Sequence, residues 1–349
     1  MMDEESRKPA AFRIGTRLIG DGHPVFVIAE IGINHHGDAA LCARMMEAAA
    51  EAGADAVKLQ TVEPDESYVH GTVSHKEFSN KSLSDEALSS LGRLADELGI
   101  VLFSTPGDFS SLEQMCRNRM PGVKISSGLM TNLPLIAAAA RKGLPMIIST
   151  GLAYESEIED AVRTALAEGA SGVAVLKCTA LYPAPDETLN LNAIPAMVAR
   201  FGVPIGYSDH TLDDLACVAA VALGAAVIEK HFTLDSTLPG ADHHISMEPG
   251  PFAAMIGKIR RLERMLGSGS IEPVAAEIAA RPQRHRCLVA RVDIPSGSVF
   301  SADNLALKRP LPGSAGLPPA AYAEVLGKVA RVDIKRDQPV LREHVGEAP

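Results

Sequence analysis

The sequence predicts a (β/α)8 barrel followed by a small β-rich domain. Three observations predict it. Between about residues 24 and 267, short apolar runs alternate strictly with helix-like stretches, eight of each. The runs are continuously apolar, as in strands covered on both faces. Each run ends on polar or charged residues, and in a barrel of this kind the carboxyl ends of the strands form the functional face. The alternative, a doubly wound open sheet, brings a glycine-rich phosphate loop after its first strand, and Gly32-Ile33-Asn34-His35-His36-Gly37 lacks that spacing.

The strands are expected at 25–31, 55–60, 100–104, 122–126, 145–149, 172–177, 203–207 and 225–230. The helices are expected at 39–52, 84–98, 110–118, 132–142, 154–168, 189–201, 212–223 and 249–266. Gly53 reads as a stop for the first helix, and Ser156, ahead of Glu157 and Glu159, as a start for the fifth. After 267 the composition changes. Gly267-Ser268-Gly269-Ser270, Glu272-Pro273 and Arg281-Pro282 read as a linker over 268–283. Residues 284–349 read as the small β domain, so that 1–267 is the barrel.

Bulk properties narrow the function. With 46% hydrophobic residues a large core is available, and a formal net charge of −10 argues against a general nucleic-acid binder. No run approaches the roughly 20 apolar residues of a membrane span. The charged stretch Met1–Lys8 lacks the apolar region of a secretory signal. Five scattered cysteines, none in a CxxC pair, fit free thiols in a reducing cytoplasm.

The polar strand ends carry the chemistry. They are Glu30, Lys58 with Gln60, Thr105, Lys124 with Ser126 and Ser127, Ser149 with Thr150, Lys177 with Thr179, Ser208 with His210, and His231. Each alone reads equally well as a solvated rim residue. Together they describe a cavity with two or three lysines, several hydroxyls, one carboxylate and two imidazoles. That set suits an oxyanion-rich ligand bearing phosphate and carboxylate. His210 and His231 end neighbouring segments and form a candidate metal pair with open positions. Asp242 is placed to orient or complete it; His35-His36 and His243-His244 are weaker candidates.

Several strings are similar to one known family. They are Ile28-Ala29-Glu30-Ile31-Gly32-Ile33-Asn34-His35, Val57-Lys58-Leu59-Gln60-Thr61, Ser104-Thr105-Pro106, Lys124-Ile125-Ser126-Ser127, Ser149-Thr150-Gly151, Tyr207-Ser208-Asp209-His210-Thr211, Glu229-Lys230-His231-Phe232-Thr233 and Pro239-Gly240-Ala241-Asp242. They resemble the sialic acid synthases. Leu288-Val289-Ala290, Asn304-Leu305, Lys308-Arg309-Pro310 and Leu326-Gly327-Lys328 resemble the antifreeze-like (SAF) domain of the bacterial members. The resemblance spans about 24–346.

It implies condensation of phosphoenolpyruvate with an N-acetylmannosamine-like acylamino sugar to a nonulosonic acid, with Mn²⁺ or Mg²⁺ as cofactor. It implies His210 and His231 as metal ligands and catalytic residues together with Glu30. It implies Lys58, Thr105, Lys124, Ser127, Ser149 and Ser208 around phosphoenolpyruvate. Gln60, Tyr182 and Asp242 would line the sugar with Glu30, and Arg309 would reach the acyl group from the partner subunit of a domain-swapped homodimer. The chain departs from the family at Leu129, Gly107 and Ala180, and Gln283-Arg284-His285-Arg286 replaces an expected Phe. These departures suggest an acceptor other than N-acetylmannosamine, such as the diacetamido sugars of legionaminic or pseudaminic acid. Competing readings are a class I aldolase using Lys58, Lys124 or Lys177 as a Schiff base, and a non-catalytic sugar-binding protein.

Overall fold

The computed structural model describes residues 11–240 and 242–347. The N-terminal stretch Met1–Lys8 and Ala241 of the Pro239–Asp242 string lie outside the described residues. The chain divides into two compact units, the first ending at Gly267 and the second beginning at Ser268.

The first unit is a closed barrel of eight parallel strands. They are β1 (Phe26–Gly32), β2 (Ala56–Thr61), β3 (Val101–Pro106), β4 (Val123–Ile125), β5 (Met146–Ser149), β6 (Val173–Cys178), β7 (Ile205–Asp209) and β8 (Val227–His231), with β8 pairing back onto β1. Each predicted strand is present, its start displaced by one or two residues toward the C-terminus. The barrel helices are α1 (Ala39–Glu51), α2 (Asp85–Leu98), α3 (Phe109–Arg117), α4 (Leu133–Arg141), α5 (Glu155–Ala167), α6 (Ala193–Phe201), α7 (Leu215–Ala222) and α8 (Pro249–Leu266).

Side-chain caps set several helix starts. Asp38 accepts from Ala40 and Leu41, Ser84 from Ala87, Asp108 from Ser111, and Asn132 from Leu135. Ser156 is not the start of α5. Glu157 reaches back to the N–H of Tyr154 at 2.8 Å, so the helix begins at Glu155 and Ser156 lies within its first turn.

Period-2 alternation divides each strand between two cores. Outward residues such as Val27, Ala29, Val57, Leu59, Val175 and Ile205 pack against the helices. Inward residues Phe26, Ile28, Ala56, Val101, Phe103, Ile147, Ala174, Leu176 and Val227 fill the lower lumen. They are joined there by Phe12, Ile14 and Ile19 of an N-terminal hairpin, Phe12–Ile14 with Arg17–Ile19, which the sequence reading left unassigned. The hairpin plugs the bottom of the barrel. A Cβ at Gly172 would lie 2.2 Å from the Phe12 ring, so only glycine admits the plug there.

The second unit begins with a helix, α9 (Ala275–Arg284), which overlaps the span read as linker; an Ala-rich run with Glu277 bonding back to the Val274 N–H builds it. Short antiparallel pairs follow, β9 (Cys287–Ala290) with β10 (Leu305–Lys308), and β11 (Val329–Ala330) with β12 (Val345–Gly346). Leu288, Ile294, Phe300, Leu305, Val325, Ile334 and Val340 form its own core. No helix among the described residues is long and apolar enough to cross a membrane.

Candidate active site at the barrel mouth

Above Phe26, Ile28, Phe103 and their neighbours the inward positions change from apolar to polar. Strand parity then places Glu30, Lys58, Gln60, Thr105, Lys124, Ser149, Cys178, Ser208, His210, Glu229 and His231 at the C-terminal mouth. Nearly all are buried.

The floor of this site is an ionic bridge. Lys58 Nζ lies 2.8 Å from Glu30 and 3.7 Å from Glu229, and Lys124 Nζ lies 3.2 Å from Glu229. Lys58 also donates to Thr105 Oγ1 at 3.1 Å, Ser208 Oγ donates to Glu229 at 3.0 Å, and Gln60 Nε2 donates to Glu30 at 3.1 Å. Ser149 Oγ and one oxygen of Glu229 are buried with no hydrogen-bond partner. Buried polar atoms are nearly always satisfied. Their orphaning here marks a place built for a polar ligand.

The electrostatics fit that role. Burial raises the Glu30 carboxyl to about 7, with Lys58 opposing the rise and Glu229 adding to it. Burial also works against charge on Glu229, but Lys124 and Lys58 outweigh it and hold that carboxyl below its ordinary range. Lys58 is desolvated too, yet Glu229 and Glu30 hold it above the usual lysine range. Lys124 is pulled down by burial, because Glu229 only partly compensates. With Glu30 partly neutral near pH 7, two ammonium groups face little more than one negative charge, and the pocket favours an anion.

The imidazoles stand above this floor with their centroids 5.3 Å apart. His210 Nδ1 lies 2.7 Å from the carbonyl of Thr179. A carbonyl only accepts, so Nδ1 carries the hydrogen and the Nε2 lone pair is free, the arrangement usual for a metal-bound histidine. His231 Nδ1 is buried without a hydrogen-bond partner, and Asp242 Oδ2 is 3.7 Å away. Burial holds His231 well below the ordinary histidine range, and so keeps it neutral. At His210 burial acts the same way, but contact with Cys178 and the Thr179 carbonyl raises it overall. Tyr182, half-exposed, packs on the His210 ring at 4.1 Å. Two imidazoles and a nearby carboxylate fit a divalent ion.

The structure corrects several expectations. Lys177 faces out of the barrel, donating to its own Cys178 carbonyl and to Thr179, so among the described residues the buried mouth has two lysines, Lys58 and Lys124. The mouth also holds a second strand carboxylate, Glu229, which the sequence reading quoted without assigning it a role. The signal was available: Glu229 lies two residues before His231 and therefore on the same face. Lys230, of opposite parity, points outward to a fully buried pair with Asp209 at 2.5 Å. Ser127 accepts from the Gly151 N–H at 2.9 Å. Leu129 is partly buried and packs against the main core, and a Cβ at Gly107 would meet Val62 and Ser67. His36 and His243 bond to each other at 2.9 Å. Arg309 is an exposed residue of the second unit, just past β10.

Comparison with known proteins follows the same division. The NeuB family pattern matches residues 45–271, and that of the SAF domain matches 285–346. The chain belongs to the NeuB family. This NeuB-family chain is 40% identical to an uncharacterised protein of Methanocaldococcus jannaschii over 85% of its length and 88% of the relative's. It is 35% identical to the N,N'-diacetyllegionaminic acid synthase of Legionella pneumophila, covering 95% of this chain and 97% of that one. Among solved structures, the N-acetylneuraminic acid synthetase of Leptospira borgpetersenii in complex with citrate superposes with a TM-score of 0.75. The two are 35% identical over 79% of this chain and 98% of that one. The NeuB match falls on the barrel unit and the SAF match on the second unit.

Proposed function

We infer that this enzyme joins C3 of phosphoenolpyruvate to the aldehyde carbon of an open-chain acylamino hexose. Water adds at C2, and phosphate leaves with its bonding electrons to give a nine-carbon 2-keto acid. The observation that carries this reading is the buried Glu30–Lys58–Glu229–Lys124 bridge beneath unpartnered hydroxyl and imidazole groups. Lys58 and Lys124, with Thr105, Ser127, Ser149 and Ser208, would hold the phosphate and carboxylate and stabilise charge growing on the leaving phosphate. Glu30, titrating at about 7, is suited to give a proton to the alkoxide formed at the former aldehyde. Gln60, Tyr182 and Asp242 would line the sugar. His210 and His231, with Asp242 beside them, would hold Mn²⁺ or Mg²⁺, whose chemistry when bound is to polarise the aldehyde oxygen and acidify water.

The acceptor we propose is a diacetamido hexose of the legionaminic or pseudaminic type. The legionaminic acid synthase name of one relative supports it. A domain-swapped homodimer is supported by exposed apolar residues in several strand-to-helix connections of the mouth and at the helix starts that follow them, Val69, Phe109, Leu152, Tyr154, Leu212 and Leu215. A partner's second unit would cover them and bring Arg309 to the acyl group. A Schiff-base aldolase is less well supported, since Lys58 is held charged between two carboxylates and Lys177 faces out of the barrel, which leaves it Lys124 alone.

Phosphate release from phosphoenolpyruvate, measured with Mn²⁺ and a panel of acylamino hexoses, tests both levels. Turnover of diacetamido hexoses above N-acetylmannosamine is expected. Turnover of N-acetylmannosamine alone would overturn the acceptor, and release with none of the sugars would overturn the synthase.

A further inference from the structure

Between β2 and α2 the chain does not pass directly to the next helix. Residues 62–83 form an excursion at the C-terminal end of the barrel with two short helices, Pro64–Ser67 and Val73–Phe78. It is tied at its base, where Asp108 Oδ2 accepts from the Glu63 N–H at 2.8 Å and from Ser67 Oγ at 2.7 Å. Asp65 lies on the first short helix, His75 on the second, and His70 on the turn between them. One ligand atom from each falls within 4.8 Å of the others. Asp65 Oδ1 is 2.7 Å from His75 Nε2, and the His70 and His75 rings meet edge to face at 4.6 Å.

The geometry points to a second metal site on this excursion, formed by Asp65, His70 and His75 and suited to a zinc-class ion. Two imidazoles and one carboxylate make a set that Zn²⁺ takes in tetrahedral sites with water in the fourth position. A single protein oxygen is too little for Ca²⁺ or Mg²⁺. Bond lengths of about 2.0–2.2 Å put tetrahedral ligand atoms roughly 3.3 Å apart. The Asp65–His75 pair therefore has to open by only about half an ångström, and the Asp65 side chain, 78% exposed, is free to do so. His75 is anchored by its surroundings: its N–H bonds to Thr72 Oγ1 and its carbonyl accepts from Ser79. The ion would join the two short helices at the rim, which only the Asp65–His75 bond links among these three residues without it. The site is independent of the His210–His231 pair.

His70 separates this reading from a plain hydrogen-bonded tie, because the tie does not need it. The full chain, stripped with chelator and dialysed against Zn²⁺, is expected to hold one more equivalent of zinc than H70A. The affinity of that equivalent should fall by roughly 100-fold or more in H70A and in D65N, beyond what loss of a supporting residue gives. H210A/H231A is expected to retain it. Co²⁺ in its place should give the intense visible bands of a tetrahedral site, and Zn²⁺ should slow amide exchange across 64–79 in the wild type but not in H70A. Equal zinc content in wild type and H70A, or loss of the rim equivalent in H210A/H231A, would overturn the proposal. Failure of the barrel pair alone to bind metal would count only against the metal-dependent synthase.

Discussion

Replacing Glu229 by Gln tests whether the ionic floor is what organises the mouth. Glu229 is the carboxylate nearest Lys124, at 3.2 Å, and also lies 3.7 Å from Lys58. With an effective dielectric of about 20, these pairs are worth about 5 and 4–5 kcal/mol of gross attraction. Most of that offsets the cost of burying the charges, so the net loss on breaking the bridge is taken as about 3–5 kcal/mol. For a barrel of this size that lowers the midpoint of thermal unfolding by roughly 6–20 °C near pH 7. The pH dependence carries the sharper signature. Lys124 is already held below the lysine range by burial, and without Glu229 it falls further. Between its folded pKa and the unfolded value of 10.5 the unfolded chain binds more protons, so stability rises with pH in that window. The deficit of E229Q should therefore be widest near pH 6–7 and shrink toward pH 10. Scanning calorimetry of both proteins at pH 6, 7, 8.5 and 10 reads this directly. Phosphoenolpyruvate, bringing negative charge back to the same lysines, should narrow the gap at pH 7. A midpoint equal to wild type at pH 7, or a deficit that does not change with pH, would refute the reasoning.

Three further outcomes are expected. In E30Q the ionisation near pH 7 should vanish from the kcat profile. Because the folded pKa of Glu30 is raised, its carboxyl favours the fold below about pH 4.5 and loses that contribution as pH rises through about 7, so E30Q should be relatively more stable above pH 7 when melts are compared. K230M should lower stability by about 3–5 kcal/mol in urea unfolding, since it leaves the fully buried Asp209 without its ion pair. Mixing inactive R309A with inactive H210A should restore part of the activity through dimers that pair one intact mouth with one intact Arg309, and no recovery would count against the swapped assembly.

The barrel was legible because its strands are continuously apolar and its helices Ala-rich, and both follow from burial between two cores. The two histidines and the lysines of the mouth were legible because polar and charged groups at the end of a buried strand have few structural uses. Strand parity separates the residues that enter the mouth from those that do not. Counting in twos from His231 selects Glu229 and rejects Lys230, and counting from Leu176 selects Cys178 and rejects Lys177. The packing of Leu129 and Gly107 was not legible, because a core contact and a loop packed against Val62 and Ser67 depend on residues distant in sequence. The hairpin was missed because three-residue strands carry too little pattern.

That hairpin makes the barrel a vessel with one door. With Phe12, Ile14 and Ile19 filling the far end, a ligand reaches Lys124 from the C-terminal mouth, where His210 and His231 stand, and leaves by the same end. A ligand seated on the lysine floor has to arrive before a larger one closes over it, and its remnant departs last. In steady-state kinetics this traffic rule reads as compulsory order, with free phosphate competing against phosphoenolpyruvate and not against the sugar.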